Sequence, residues 1–292
     1  MAANVSMPGR DPYEAVKTAL RQEVGFCCPA DQCGSPYLTW HHFDPPWRVE
    51  NHHRVEGMIA LCWEHAHKAD HGAYTDDQVR EMKRDGKARA GQVRGRFDWM
   101  RRELLARVGG NFYYETPVIF QVGAIPCVWF DRDDDGYLLL NFRMPTLSGE
   151  PRASIEQNFW SAPPGVEEIV CPPSGRIVSV RYQSGDQFRA EFFSADTPEA
   201  LIARYPGASG HPWASRVRFP LTVVEVWETA AGSAVEFGPH SSRIGGINMT
   251  ECVVSRSRAG IMVEASQAET ARLFAAEPRP TPGSAPRLPG RP

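Results

Sequence analysis

The stretch CCPADQCGSPYLTWHHFDPPW, residues 27 to 47, carries three cysteines and a histidine pair, and Cys62 and His65 follow it. Taken as Cys28, Cys33, Cys62 and His65, the pattern is C-x4-C in a turn and then C-x2-H at the start of a predicted helix. Zinc takes four soft or borderline ligands in a tetrahedron, and a turn pair plus a helix-start pair supplies them without backbone strain. Cys62 and His65 stand three apart and so are neighbours on one helix face. Cys27 competes with Cys28 for the first position, and the spacing prefers Cys28. A structural Zn²⁺ held this way contributes on the order of 10 kcal/mol to folding, which lets a short segment fold around a small core of its own.

Disulfides are a poorer explanation of the cysteines. Seven is an odd count, four of the seven crowd into the first 62 residues, and the N-terminal MAANVSMPGR has no apolar segment of the export type. The expectation is a cytoplasmic protein whose thiols stay reduced. No run approaches the roughly 18 apolar residues of a membrane span, so no membrane association is expected. A chain of 292 residues with 42% apolar content has room for two modest domains with real cores.

The predicted organisation is α+β. Residues 1 to 10 are expected to be disordered. A zinc module over 11 to 75 starts with a helix after Gly9-Arg10, with Asp11 as cap, Pro12 in the first turn and Glu14 completing a capping box. Residues 37 to 43 read as an aromatic and β-branched strand stopped by Asp44-Pro-Pro-Trp47, residues 58 to 61 as a second strand, and 62 to 71 as a helix closed by Gly72. Thr75-Asp-Asp-Gln78 is a capping box that opens another helix.

Net charge is −3, yet the ten Lys/Arg between Arg80 and Arg107 face four acids, so residues 76 to 109 read as a basic helical connector and a candidate phosphate-facing stripe. Beyond Gly109-Gly110 the texture is a β-rich domain over 110 to 265, with strands at 118–122, 127–130, 137–140, 177–182, 221–227 and 261–263 and a short helix at 197–205. The run Asp131 to Gly136 reads as a turn between strands, since Phe142 occupies the place a calcium loop gives to glutamate. Trp40, Trp47 and Trp63 are expected in the core. The Pro-rich tail over 266 to 292 is expected to be disordered.

Seven of nine histidines lie between His41 and His71. At about 100° per residue, His67 points away from His65, whereas His67 and His71 lie about 40° apart and Asp70 about 60° from His67. A second polar face thus exists on the helix, and one of His41 and His42 should be turned toward it, because adjacent strand residues point to opposite faces.

Taken together, residues 25 to 72 resemble an HNH endonuclease, the zinc-supported ββα-metal fold of treble-clef type. The likeness lies in the cysteine turn, the strand histidine pair followed by a proline loop, and the Leu61-Cys62-x-x-His65 helix start that runs to Lys68-Ala-Asp-x-Gly72. By this resemblance His42 is the general base, and His41 helps hold a catalytic divalent cation, Mg²⁺ or another, with candidate ligands His67, Asp70 and His71. Gly57 stands where the family has asparagine, and Ala66 and Asp70 stand where it has helix histidines. Asn51, His52 and His53 are in the intervening loop to take over those tasks.

The implied activity is hydrolysis of phosphodiester bonds in DNA. Imidazole suits it as a base poised near neutrality, and a cation suits it as an offset for phosphate charge. The alternative is a non-catalytic, zinc-stabilised nucleic-acid-binding module, with the main role carried by ligand or partner binding in the β-rich domain.

Overall fold

The computed structural model describes residues 9–99, 101–211 and 217–274. The expected disorder of residues 1 to 8, and of 275 to 292, lies outside the described residues. The first helix, α1 (Glu14–Glu23), begins later than the sequence implies: Tyr13 is its N-cap, and the Asp11 carboxylate pairs with Lys17 Nζ at 2.7 Å instead of capping. Strands β1 (Leu38–His42) and β2 (Met58–Cys62) form an antiparallel pair that sets His41 opposite Ile59 and His42 opposite Met58. Helix α2 (Trp63–Asp70) starts directly from β2, with Cys62 as N-cap, and packs on β1. Helix α3 (Asp76–Arg89) carries the expected capping box from Thr75 and Gln78.

These elements enclose a core of their own, from Leu20 and Val24 on α1 through all five residues of β2 to Val79 and Met82 on α3. A strand buried on both faces needs a near-continuous apolar run, and Met58-Ile-Ala-Leu-Cys62 is one.

Most of the rest of the chain is two β-sheets around a second core, with a smaller separate cluster that includes Leu105, Phe112, Leu201 and Val223. One sheet has the order 259–263, 118–122, 125–132, 138–143, 154–156, 159–162, 93–96; the other runs 166–170, 177–182, 187–195, 221–229, 235–237, 242–244, 247–249. Strand Leu105–Val108 lies parallel to Leu221–Thr229 and pairs with Asn111–Tyr114. Phe142 of the first sheet stacks on Phe188 of the second at 4.1 Å, and Phe120 meets Phe237 at 4.7 Å, so the sheets face each other across that core. The 131–136 turn is confirmed: Asp133 Oδ1 accepts from the Asp135 and Tyr137 N–H groups between two hairpin strands.

Two sequence expectations fail here. The basic connector over 76 to 109 is helical only as far as Arg89; Val93–Arg96 pairs with Phe159–Ala162, and Leu105–Val108 sits in the second sheet. Its charges do not form one stripe: Arg80 binds Asp44 and Asp77, Lys83 binds Glu23, Arg84 and Arg89 share Asp85, and Arg107 is buried against Glu225. Some of these counter-ions are local, Asp77 and Asp85, and others come from distant segments, Glu23, Asp44 and Glu225. The tail is the second case. A capping box at Ser266 and Glu269 opens helix α5 (Gln267–Leu273), after α4 (Pro198–Arg204) in the expected 197–205 region, and Phe274 is buried. Among the described residues, no helix is long and apolar enough to cross a membrane.

The two cores are joined by a buried ion pair: Arg21 Nε on α1 donates to Glu168 Oε1 on strand Val166–Val170 at 2.6 Å. Glu228 is the contrasting case. It lies buried between the cross-strand neighbours Phe188 and Phe237 with neither carboxylate oxygen partnered, and burial holds its pKa well above 4.5. The native state therefore keeps a proton that the unfolded chain loses above pH 4.5. Stability should fall by up to about 1.4 kcal/mol per pH unit from there toward the folded pKa. Urea titrations of the parent and Glu228→Gln at several pH values between 4 and 8 should diverge with that slope in favour of the variant; parallel curves would contradict a protonated Glu228.

Candidate functional site

Two turns converge on the sulfur site. Cys28 and Cys33 lie in a tight turn closed by Cys28 N–H to Ser35 O and Cys33 N–H to Ala30 O, while Cys62 and His65 come from the β2–α2 junction. The four ligand atoms lie within 4.8 Å of one another. Cys33 Sγ is 3.8 Å from Cys62 Sγ, and His65 Nδ1 is 3.6 Å from Cys28 Sγ and 3.1 Å from Cys62 Sγ. A tetrahedron with Zn–S bonds of about 2.3 Å has edges of about 3.8 Å, so the set has the size a zinc ion needs. Burial pushes the Cys28 and Cys33 thiols up, and a bound dication reverses that preference by stabilising thiolate. Cys27, the competing ligand, instead packs against the core of the β-sheets.

The strand pair divides as the pleat requires. His41, buried, points its Nδ1 at Asp70 Oδ1 of α2, 3.1 Å away, and the Asp70 carboxylate also stands 4.0 Å from Arg10. His42 turns the other way, into the 44–57 loop, where its Nε2–H donates to His52 O at 3.0 Å. Its Nδ1 is buried with no partner, Trp47 packs on its ring at 4.7 Å, and burial pushes its pKa down to about 4. His41 is also lowered by burial, against the raising effect of Asp70. Although they leave β1 on opposite sides, both histidines line one cavity of about 330 Å³, with Arg10, Trp47, Arg48 and Asp70.

Among the candidate cation ligands, only His41 and Asp70 meet. His67 lines a neighbouring cavity with His41, Asp70 and Trp63, whereas His71 donates its Nδ1–H to the His67 carbonyl, and the two imidazoles pack on each other at 4.2 Å. Among the described residues, the sulfur cluster is the one group of three or more metal-ligating side chains. The 3.1 Å separation of His41 Nδ1 and Asp70 Oδ1 is that of a hydrogen bond between the ring and the carboxylate.

Gly57 has a physical reason. A Cβ there would sit 2.0 Å from Asp44 O and 2.9 Å from the His52 ring, while Gly57 O accepts from the Phe43 and Asp44 N–H groups. The orientation of His42 comes from the His52 backbone carbonyl, and His52 is held in turn by Pro45 O at 2.9 Å and by the Arg54 N–H. His53 stacks on Trp47, and Asn51 bonds the Trp47 carbonyl, so neither reaches His42 by a hydrogen bond. Sequence reasoning missed Arg10 and Arg48 as lining residues and placed Trp63 in a core, where it is 73% exposed. Gly57 was the one local signal: a residue without a side chain lets backbone approach closely, here Asp44 O.

No family model matches the chain, and no curated protein or solved structure matches it either.

Two outcomes follow. Elemental analysis should find one zinc per chain, and Cys62→Ser should lose it and unfold the N-terminal core; zinc far below stoichiometry in the parent would remove the assignment. Gly57→Asn should lower stability by about 1–3 kcal/mol through overpacking, measured by urea denaturation, and a neutral substitution would refute the close approach of Asp44.

Proposed function

We propose that residues 11 to 75 are a zinc-supported nuclease module of HNH type that hydrolyses phosphodiester bonds in DNA, with His42 as general base. The observation that carries this reading is the shared cavity: a histidine with one ring nitrogen fixed and the other buried without a partner stands beside a His41–Asp70 pair. With its Nε2 proton committed to His52 O, the neutral ring has its lone pair on Nδ1, the state a base needs in order to take a proton from water. Trp47 and the 44–57 loop hold the imidazole in place and exclude bulk solvent from one side. Arg10 and Arg48 in the cavity lining supply positive charge for the phosphate. His41 and Asp70 would hold the divalent cation, which when bound offsets charge on the phosphate and on the departing oxygen.

A second reading, a zinc-stabilised module that binds nucleic acid without cutting it, draws on the absence of a third cation ligand beside His41 and Asp70 among the described residues. The two part in one experiment. Purified protein is incubated with plasmid and single-stranded DNA in Mg²⁺, Mn²⁺ or Ni²⁺, and DNA retention is measured alongside cleavage. The nuclease reading expects cutting that falls at least about 100-fold in zinc-loaded His42→Ala. Parental cutting by that variant would falsify the mechanism, and retention without cutting by the parent would transfer the function to binding.

A further inference from the structure

The β-rich domain holds a cavity of about 460 Å³ that the proposed chemistry does not use, within the size range of small-molecule sites. Phe112, Tyr205 and Trp227 wall it. Its floor is the ion pair of Arg107 with Glu225. The Glu225 carboxylate is fully committed: Oε1 accepts from Arg107 Nη1 and from the Trp227 indole at 3.2 Å, and Oε2 accepts from the Tyr205 hydroxyl at 3.1 Å. Arg204 stands 3.6 Å from the same carboxylate.

The guanidinium of Arg107 is not committed in the same way. Its Nη1 serves Glu225 and the Pro239 carbonyl, while Nη2 makes no hydrogen bond among the described residues and Nε is sealed off without a partner, in a residue only 9% exposed. A buried guanidinium with donors left over is costly until an acceptor arrives, and a carboxylate matches its geometry best. On another wall stands Glu251, with no ion pair or hydrogen bond among the described residues. Its backbone is in the left-handed region at φ 53°, uncommon for a side-chain-bearing residue. Its carboxylate lies against Gly207, where a Cβ would come within 2.2 Å of Oε1. The chain thus tolerates both strain and a required glycine to hold an unneutralised carboxylate in the cavity lining.

One cavity therefore offers an anion-seeking group, a cation-seeking group and aromatic walls. We propose that it binds a small zwitterion of the amino-acid or short-peptide class, its carboxylate on Arg107, its ammonium on Glu251 and its apolar side chain against Tyr205 and Trp227. This does not depend on the nuclease reading.

The test is calorimetric titration of the full-length, zinc-loaded protein with L-phenylalanine and glycyl-phenylalanine, and with the single-charge analogues 3-phenylpropionate and phenethylamine. At least one zwitterion should bind more tightly than both analogues. Glu251→Gln changes an exposed residue without partners, so the fold should persist; it should weaken that zwitterion roughly tenfold while leaving 3-phenylpropionate unchanged. No zwitterion binding, affinities no better than the analogues, or an unaltered zwitterion affinity in Glu251→Gln would each overturn the proposal.

Discussion

The Cys28, Cys33, Cys62 and His65 tetrad ties the turn after α1 to the point where β2 becomes α2. Everything at the candidate site is measured from that junction. It fixes where α2 starts, and hence which residue of α2 reaches β1 about two turns later. The apolar core around β2 is small, and a metal ion held by the tetrad would fix the helix at one rotation against the strand pair. At that rotation Asp70 faces His41, while His67 and His71 turn outward.

The second constraint is the alternation of side chains along β1. Two adjacent histidines on a strand cannot both face the helix, so the pair is split between two environments with different tasks. His41 finds a carboxylate. His42 finds a backbone carbonyl, in a loop that approaches β2 closely only because residue 57 lacks a side chain. His41 and His42 thus leave two faces of one thin element and still line one cavity.

The sheet domain follows a different economy of charge. Arg21 with Glu168, and Arg107 with Glu225, are buried pairs, and the first of them fastens the N-terminal core to the sheets. A buried pair contributes little net stability, yet removing one partner is strongly destabilising, so such pairs fix geometry more than they add stability. In the case of Arg107, that fixed geometry leaves donor capacity facing a cavity.

Local pattern was enough to read the Cys28, Cys33, Cys62 and His65 cluster, β1, β2, the Thr75 capping box and strands such as Val118–Val122 and Ile177–Tyr182, since each rests on spacing or periodicity along the chain. What stayed illegible was anything decided by a distant partner. Leu105–Val108 hid inside a basic run because the acid that neutralises Arg107 is over a hundred residues away, at Glu225. The helix over Gln267–Leu273 was concealed by the Pro-rich composition beyond it, although Ser266 and Glu269 spelled out its start. Sequence by itself determined which side chains a metal can hold and that His41 and His42 must part. Only the tertiary structure decided which of them meets Asp70, which carbonyl aims the other, and which cations are spent on neighbours, because these depend on long-range contacts that no local periodicity encodes.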